Sequence, residues 1–394
     1  MKKTIIQYFS MVFAFVVLLT VAYAIPNSAL ESKAEHSVYT ITEEKPYRLI
    51  NPEDYGSRLD NSTDRLMINT ALKGNSNALY EAMDNSNYAR YWHGYQVFLR
   101  PLLVFISYSS IRQLYGFVLV ILIGLVFYLL TKKLDVFIGL SFLMSLMFVR
   151  FYTFFLSMQF SNIFIVLFIG LIYLLTRETK YFIKEYFVGF FFLIGAVTNF
   201  IDLLTAPLIT LGAPMIIIYY LKAKDEKLSL IELLKQLVGN SFFWGLGYGI
   251  TWLLKWTIAS VVLQKNIISD AITQILFRTE GDESWPISRP YMLRINFELM
   301  FNKLNLLVIG LIVVALVCFL FMKRKTIKRG INLYLLGILS IGMMPYVWYL
   351  TLANHSQIHF WFTYRLQFVT VFALLSVFSF IVSNRCKNSL IENQ

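Results

Sequence analysis

Runs of about 20 apolar residues recur along almost the whole of this 394-residue chain, separated by short charged stretches. That length crosses a hydrocarbon core of about 30 Å as a helix. In lipid a helix also pairs its own backbone amides, which an irregular chain cannot do. Spans read at 1–24, 111–131, 135–154, 159–176, 184–201, 203–221, 236–262, 304–322, 331–350 and 363–382, ten in all. Charged residues make up only 15% of the chain and apolar types 57%, whereas a soluble domain carries about 25% charged residues. The expected fold is all-α: a polytopic bundle of about ten transmembrane helices forming a single transmembrane domain over 1–394.

The first span, MKKTIIQYFSMVFAFVVLLTVAYA, has a basic end and then an apolar run. Ala22-Tyr23-Ala24 fits a signal-peptidase site, but the run is long for a signal peptide, so a retained span is the reading taken. Neither cysteine, Cys318 or Cys386, suggests a disulfide framework.

The net charge of +12 would point to nucleic acid in a soluble protein. Here its distribution points to topology instead. With both termini inside, the inner loops hold 18 of the 35 basic residues against seven acids, a net of +11. The rest of the chain holds 17 basic and 16 acidic residues. Basic residues mark short cytoplasmic loops, so a plasma-membrane protein with both termini in the cytoplasm is expected. The richness in Lys, Ile, Asn, Phe and Tyr suits an AT-rich bacterial genome. No Gly-rich phosphate loop is present, which argues against ATP hydrolysis in this chain.

Two outer segments are long, 25–110 and 264–303. In the first, Asp60 and Asp64 lie four apart and share a face if the segment is helical. Such a pair can act as a general base or bind a divalent cation, although no motif specifies a metal; a solvated loop is the plainer reading. Residues 76–110 carry Tyr80, Tyr88, Tyr91, Trp92, Tyr95, Phe98, Phe105 and Tyr108. They read as one or two interfacial helices whose rings sit among lipid headgroups. His93 and Arg100 belong either to that anchor or to a substrate cleft.

Asp202, in TNFIDLLTAP, falls between two spans and is either functional or a turn cap. Lys255, in the seventh span, either snorkels or faces an anionic headgroup. Gly245 and Gly249 are spaced for close helix packing. The stretch GDESWPISRP reads as a mobile loop able to close over a substrate. Near the chain's end, PYVWYLTLANHSQIHFWFTYR gathers Asn354, His355, His359 and Arg365. The two histidines lack the glutamate of a zinc protease, and a cationic, hydrogen-bonding cluster suits a phosphate or diphosphate. An interfacial belt of Trp, Tyr and His is the plainer alternative.

The retained first span, the outer loop with an early acidic pair, the aromatic stretch and the many further spans resemble the superfamily C glycosyltransferases. RLDNSTDRLM, YWHGYQVFLRP, TNFIDLLTAP and NHSQIHFWFTYR also look similar to segments of uncharacterised bacterial membrane proteins. The glycosyltransferase resemblance implies a polyprenyl-phosphate-linked sugar as donor, and a glycan or cell-wall polymer as acceptor outside the membrane. It implies a catalytic acid at Asp60 or Asp64, and lipid phosphate held near Arg365 and the histidines. The rival readings are a transporter or flippase for a lipid-linked or anionic solute, and a non-catalytic membrane subunit.

Overall fold

The computed structural model describes residues 2–72, 77–85, 88–178, 187–223, 229–322 and 333–391. Lys180, Lys184, Lys224, Lys227 and the cluster Lys323, Arg324, Lys325, Lys328 and Arg329 lie outside these, as do the side chains of Lys2, Lys3, Arg385 and Lys387. The described architecture is all-α.

In chain order the helices are α1 (Lys2–Ala24), α2 (Asn27–Glu43), α3 (Asn61–Leu72), α4 (Ala78–Asp84), α5 (Gln96–Phe105), α6 (Tyr108–Lys133), α7 (Val136–Phe148), α8 (Met158–Leu175), α9 (Val188–Ile201) and α10 (Ile209–Lys222). After them come α11 (Leu230–Leu263), α12 (Ile267–Glu280), α13 (Arg289–Met300), α14 (Lys303–Met322), α15 (Leu333–Gly342), α16 (Met344–Thr351), α17 (Ala353–Ile358), α18 (Phe360–Thr363) and α19 (Phe368–Ile391).

Among the described residues six helical stretches are long and apolar enough to cross a membrane: Thr4–Ala24, Tyr108–Lys133, Met158–Leu175, Leu230–Leu263, Leu333–Thr351 and Phe360–Ser383. The expected span 304–322 falls on α14. Those at 135–154, 184–201 and 203–221 fall on α7, α9 and α10, of 13, 14 and 14 residues. At 1.5 Å per residue such helices are about 20 Å long, short of a full crossing. α9 and α10 meet through a turn at 202–208 that is almost wholly buried. Irregular backbone at membrane depth survives only where protein covers it.

α8 and α10 are buried on nearly every face and form the centre. α6 turns Phe117, Val120, Ile121 and Leu125 outward, an apolar strip suited to lipid. α9 crosses α11 closely because glycines meet backbone there. A Cβ on Gly195 would lie 2.3 Å from the Trp244 carbonyl oxygen, and one on Gly247 2.0 Å from that of Phe192. Gly245 and Gly249, expected to pack closely against a helix, meet nothing within 4 Å among the described residues. They share one face of α11, and α9 lies against another.

The bundle has two chemically distinct ends. At one, Lys132 and Lys133 close α6, where cations suit the helix dipole. Lys133 donates to the carbonyls of Leu175 (3.1 Å) and Arg177, tying α6 to the end of α8. At the same end Asp135 starts α7 by accepting the Ile138 N–H (3.1 Å) and also accepts the Tyr220 hydroxyl (2.6 Å). The opposite end carries the segment 25–110.

That segment folds down onto the bundle. The Arg112 guanidinium of α6 donates to Glu44 (2.7 and 2.8 Å) and to Asn61 (3.1 Å). Arg150, after α7, grips both carboxylate oxygens of Asp54 at 3.0 Å. The aromatics expected among headgroups are instead largely core: Tyr91, Trp92, Tyr95 and Tyr108 are buried, while Phe98 and Phe105 remain exposed. Their rings carry more apolar area than any nearby side chain, and the folded segment offers them protein to pack against.

Candidate functional site

Asp60 immediately precedes α3. Its Oδ1 accepts the Thr63 N–H at 3.0 Å, which closes the first turn of the helix. Its Oδ2 meets the Trp361 indole N–H at 3.4 Å, a long contact that leaves that oxygen most of its accepting capacity. Burial is the main force raising the Asp60 carboxyl above its usual range, and the bonds from Thr63 and Trp361 and the charge of Arg58 act against it.

Asp64, one helical turn on, is fully buried. Both its oxygens are engaged, one by the Tyr108 hydroxyl (2.7 Å) and one by the Gln159 N–H (3.0 Å). Burial pushes it up to about 6, with Arg112, Tyr108 and Gln159 opposing and Asp60 adding a small push. The two carboxylates thus differ in kind. Asp64 joins the starts of α3, α6 and α8, and Asp60 keeps an oxygen turned to the Trp361 edge.

Trp361 leads from the acids to the histidines. Its ring centre lies 5.3 Å from that of His359, and His359 lies 4.9 Å from His355. Arg278 of α12 donates to His355 Nδ1 at 2.6 Å. Nδ1 is therefore the acceptor, so Nε2 carries the proton and donates to the Leu204 carbonyl at 3.0 Å. Burial first, then the Arg278 charge, holds His355 well below the ordinary histidine range. The same causes, in the same order, bring His359 down to about 3. Both rings are neutral at pH 7, and His359 Nδ1 has no hydrogen-bond partner, nor has Arg278 Nε.

The carboxylate of Asp202 accepts the Thr205 N–H (3.1 and 3.0 Å) in the turn that also presents the Leu204 carbonyl to His355. Burial raises Asp202 to about 7 against the backbone bonds it accepts. Asn354 docks the end of α12 through the Phe277 carbonyl (2.8 Å). Arg365 is fully buried and donates to the Trp361 carbonyl (2.8 Å), Thr153 (3.1 Å) and Gly56 (3.4 Å), with Phe160 beneath it. Its position ties α18 and α19 to the acid-bearing segment.

Asp60, Asp64, Asp202, Asn354, His355, His359 and Arg365 thus occupy one polar layer at one end of the bundle. Three other candidates make internal contacts of their own. His93 accepts from Tyr95 (2.7 Å) and donates to the Tyr88 carbonyl (3.1 Å), and burial drives it down to about 3. Arg100 donates to the carbonyls of Ala22 (2.9 Å), Ile25 (2.6 Å) and Ala71, anchoring the ends of α1 and α3. Lys255 neither snorkels nor faces a headgroup: its ammonium holds the Ala82 and Met83 carbonyls (3.3 and 2.9 Å) at the end of α4. The stretch expected as a mobile loop is pinned to α17, where Gln357 accepts the Ser288 N–H (2.8 Å) and donates to the Pro286 carbonyl (2.9 Å).

In the sequence Arg278 is one charged residue of the outer segment 264–303, and Trp361 one ring of the run PYVWYLTLANHSQIHFWFTYR. A cation spaced from the histidines by 77 residues leaves no local signal. Among the described residues no group of three His, Cys, Asp or Glu side chains could hold a metal ion. A cleft of about 650 Å³ lies away from the layer between α1, α2 and α4 and includes Tyr23, Asn27, Glu31, Glu35 and Glu81. A narrow second cleft, bordered by Tyr108, Arg112, Tyr115, Phe154 and Ser157, opens beside the hydroxyl that holds Asp64. No family model matches the chain, and neither a curated protein nor a solved structure matches it.

Proposed function

We propose that this chain is a membrane glycosyltransferase, moving a sugar from a polyprenyl-phosphate carrier to a hydroxyl acceptor outside the plasma membrane, in cell-wall or surface-glycan modification. The observation that carries this reading is the contact of Asp60 with Trp361, which joins a carboxylate with a lightly held oxygen to a neutral-histidine and arginine group at the same end of the bundle. The lysine-rich end faces the cytoplasm by the distribution of basic residues, so the layer faces outward.

The chemistry follows from the two halves. Asp60 Oδ2 takes the proton of the acceptor hydroxyl as its oxygen attacks the anomeric carbon. The bond from that carbon to the phosphate oxygen breaks, and the phosphate leaves with the electron pair. Arg278, with its unpartnered Nε, and His359 meet the growing negative charge. Asp64 positions the site by fixing α3 against α6 and α8. A flippase reading would rest on Lys255, and that ammonium is held by the end of α4.

The test compares surface-glycan composition in a deletion strain complemented with wild type or with Asp60→Asn. An asparagine keeps the oxygen that caps α3 but cannot take a proton. Transfer is expected to fall at least about 100-fold at unchanged protein level. A wild-type glycan in the Asp60→Asn strain would remove Asp60 from the chemistry, and a wild-type glycan in the uncomplemented deletion strain would remove the transferase reading.

A further inference from the structure

An aromatic surface adjoins Asp60 on its outward side. The Arg58 guanidinium lies between two rings, 4.3 Å from the centre of Tyr47 and 4.3 Å from that of Trp361. It also donates to the Tyr55 hydroxyl at 2.8 Å, and its Nε is buried between the rings. Tyr55 stacks on Phe360 with ring centres 5.9 Å apart and planes 12° from parallel. Tyr47 and Tyr55 are 42% and 47% exposed, which makes them the outward part of this layer.

Such rings could be a lipid-facing belt, but their surroundings argue otherwise. The lipid-suited strip of α6 exposes Phe117, Val120, Ile121 and Leu125. Over residues 44–60 the two tyrosines are the only large apolar side chains exposed, and Lys45, Arg48, Asn51 and Glu53 are exposed around them. The segment is also held rigidly. Leu59 N–H bonds the Arg48 carbonyl (2.9 Å), and Arg112 and Arg150 clamp its two ends through Glu44 and Asp54. Exposed tyrosine rings held in place, each carrying a hydroxyl, suit a ligand with apolar C–H faces and many hydroxyls.

We propose that Tyr47, Tyr55, Arg58, Phe360 and Trp361 form a carbohydrate platform that seats the acceptor glycan with a hydroxyl turned to Asp60. Sugar rings lie on the exposed sides of Tyr47 and Tyr55, and their hydroxyls bond the tyrosine hydroxyls, while Arg58, Phe360 and Trp361 hold the two rings in place from beneath. The platform continues into the catalytic layer because Trp361 belongs to both: its face packs on Arg58 and its N–H meets Asp60. This deepens the transferase reading by assigning the residues that seat the glycan acceptor, and rests on it only for the transfer step.

The test measures binding apart from transfer. Full-length protein in lipid nanodiscs is titrated with linear hexasaccharides of N-acetylglucosamine, glucose and galacturonic acid, followed by saturation-transfer NMR. At least one is expected to bind, and Tyr47→Ala with Tyr55→Ala to weaken it about tenfold, while Tyr47→Phe changes it little. Both tyrosines are exposed, so the variants fold. No binding by any of the three, or equal binding by the double alanine variant, overturns the platform. A nitroxide at residue 55 more accessible to oxygen than to a water-soluble nickel chelate would place the rings in lipid and overturn it too. Transfer is scored separately: if deletion of the protein leaves the surface glycan unchanged while the tyrosine variants lose binding, the platform stands and the transferase reading falls.

Discussion

Asp202 holds a carboxyl where water does not reach, and the cost of ionising it there makes stability depend on pH. Burial lifts it from 3.8 to about 7, and lifts Asp64 from 3.8 to about 6. A raised value means that the folded chain binds the proton more tightly than the unfolded chain. The stability it contributes is complete below about 4 and is lost as pH rises through about 7 for Asp202 and about 6 for Asp64. The thermal midpoint of the detergent-solubilised protein is therefore expected to fall between pH 4 and 8. Asp202→Asn keeps an acceptor for the Thr205 N–H and cannot ionise, so its midpoint should change less over that window. A variant with the wild-type slope would show that Asp202 is not the source. From sequence, Asp202 read equally as a cap or as a functional group. It is a cap of its turn, and its turn also presents the carbonyl that holds His355. Which of several roles a polar residue takes is a matter of what surrounds it, and its surroundings come from other helices.

At the scale of the element, helix existence was legible and helix contact was not. A 20-residue apolar run has few alternatives to a helix in lipid, and over the described residues each expected span overlaps a helix, although α7, α9 and α10 are shorter than a crossing. Glycine spacing within α11 could not show which face meets α9. Gly247, two residues from each of the glycines that spacing favoured, makes the contact. Gly247→Ala forces a methyl to within 2.0 Å of the Phe192 carbonyl oxygen unless the helices part. Overpacking of this kind costs about 1–3 kcal/mol, so the thermal midpoint should drop. Gly249→Ala meets nothing within 4 Å, and should keep the wild-type midpoint or raise it slightly through helix propensity. Equal losses in the two variants would contradict the crossing described.

For the whole molecule, the decisive feature is that 25–110 is folded against the bundle and not spread along the surface. Two arginines do much of this. Arg150 pairs bidentately with Asp54, and Arg112 with Glu44. Removing one partner of a mostly buried pair costs about 3 kcal/mol. Arg150→Ala should therefore loosen residues 44–60, seen as faster cleavage there in limited proteolysis, with the six long helices intact. Unchanged cleavage would mean that other contacts hold the segment. Neither arginine could be assigned this role from sequence, because each partner lies far along the chain and single-sequence patterns carry only near neighbours.

By itself the sequence determined an all-α chain with several membrane-length apolar helices, a basic end and a polar end. These follow from composition and periodicity, which are local and survive without knowledge of the partners. Tertiary structure alone decided that Asp60 and Trp361, 301 residues apart, meet, that Arg278 fixes the tautomer of His355, and that Lys255 and Arg100 cap helices away from the acids. The physical reason is that polar groups in a low-dielectric bundle must find partners wherever the helix packing places them, and packing is a property of all the helices together.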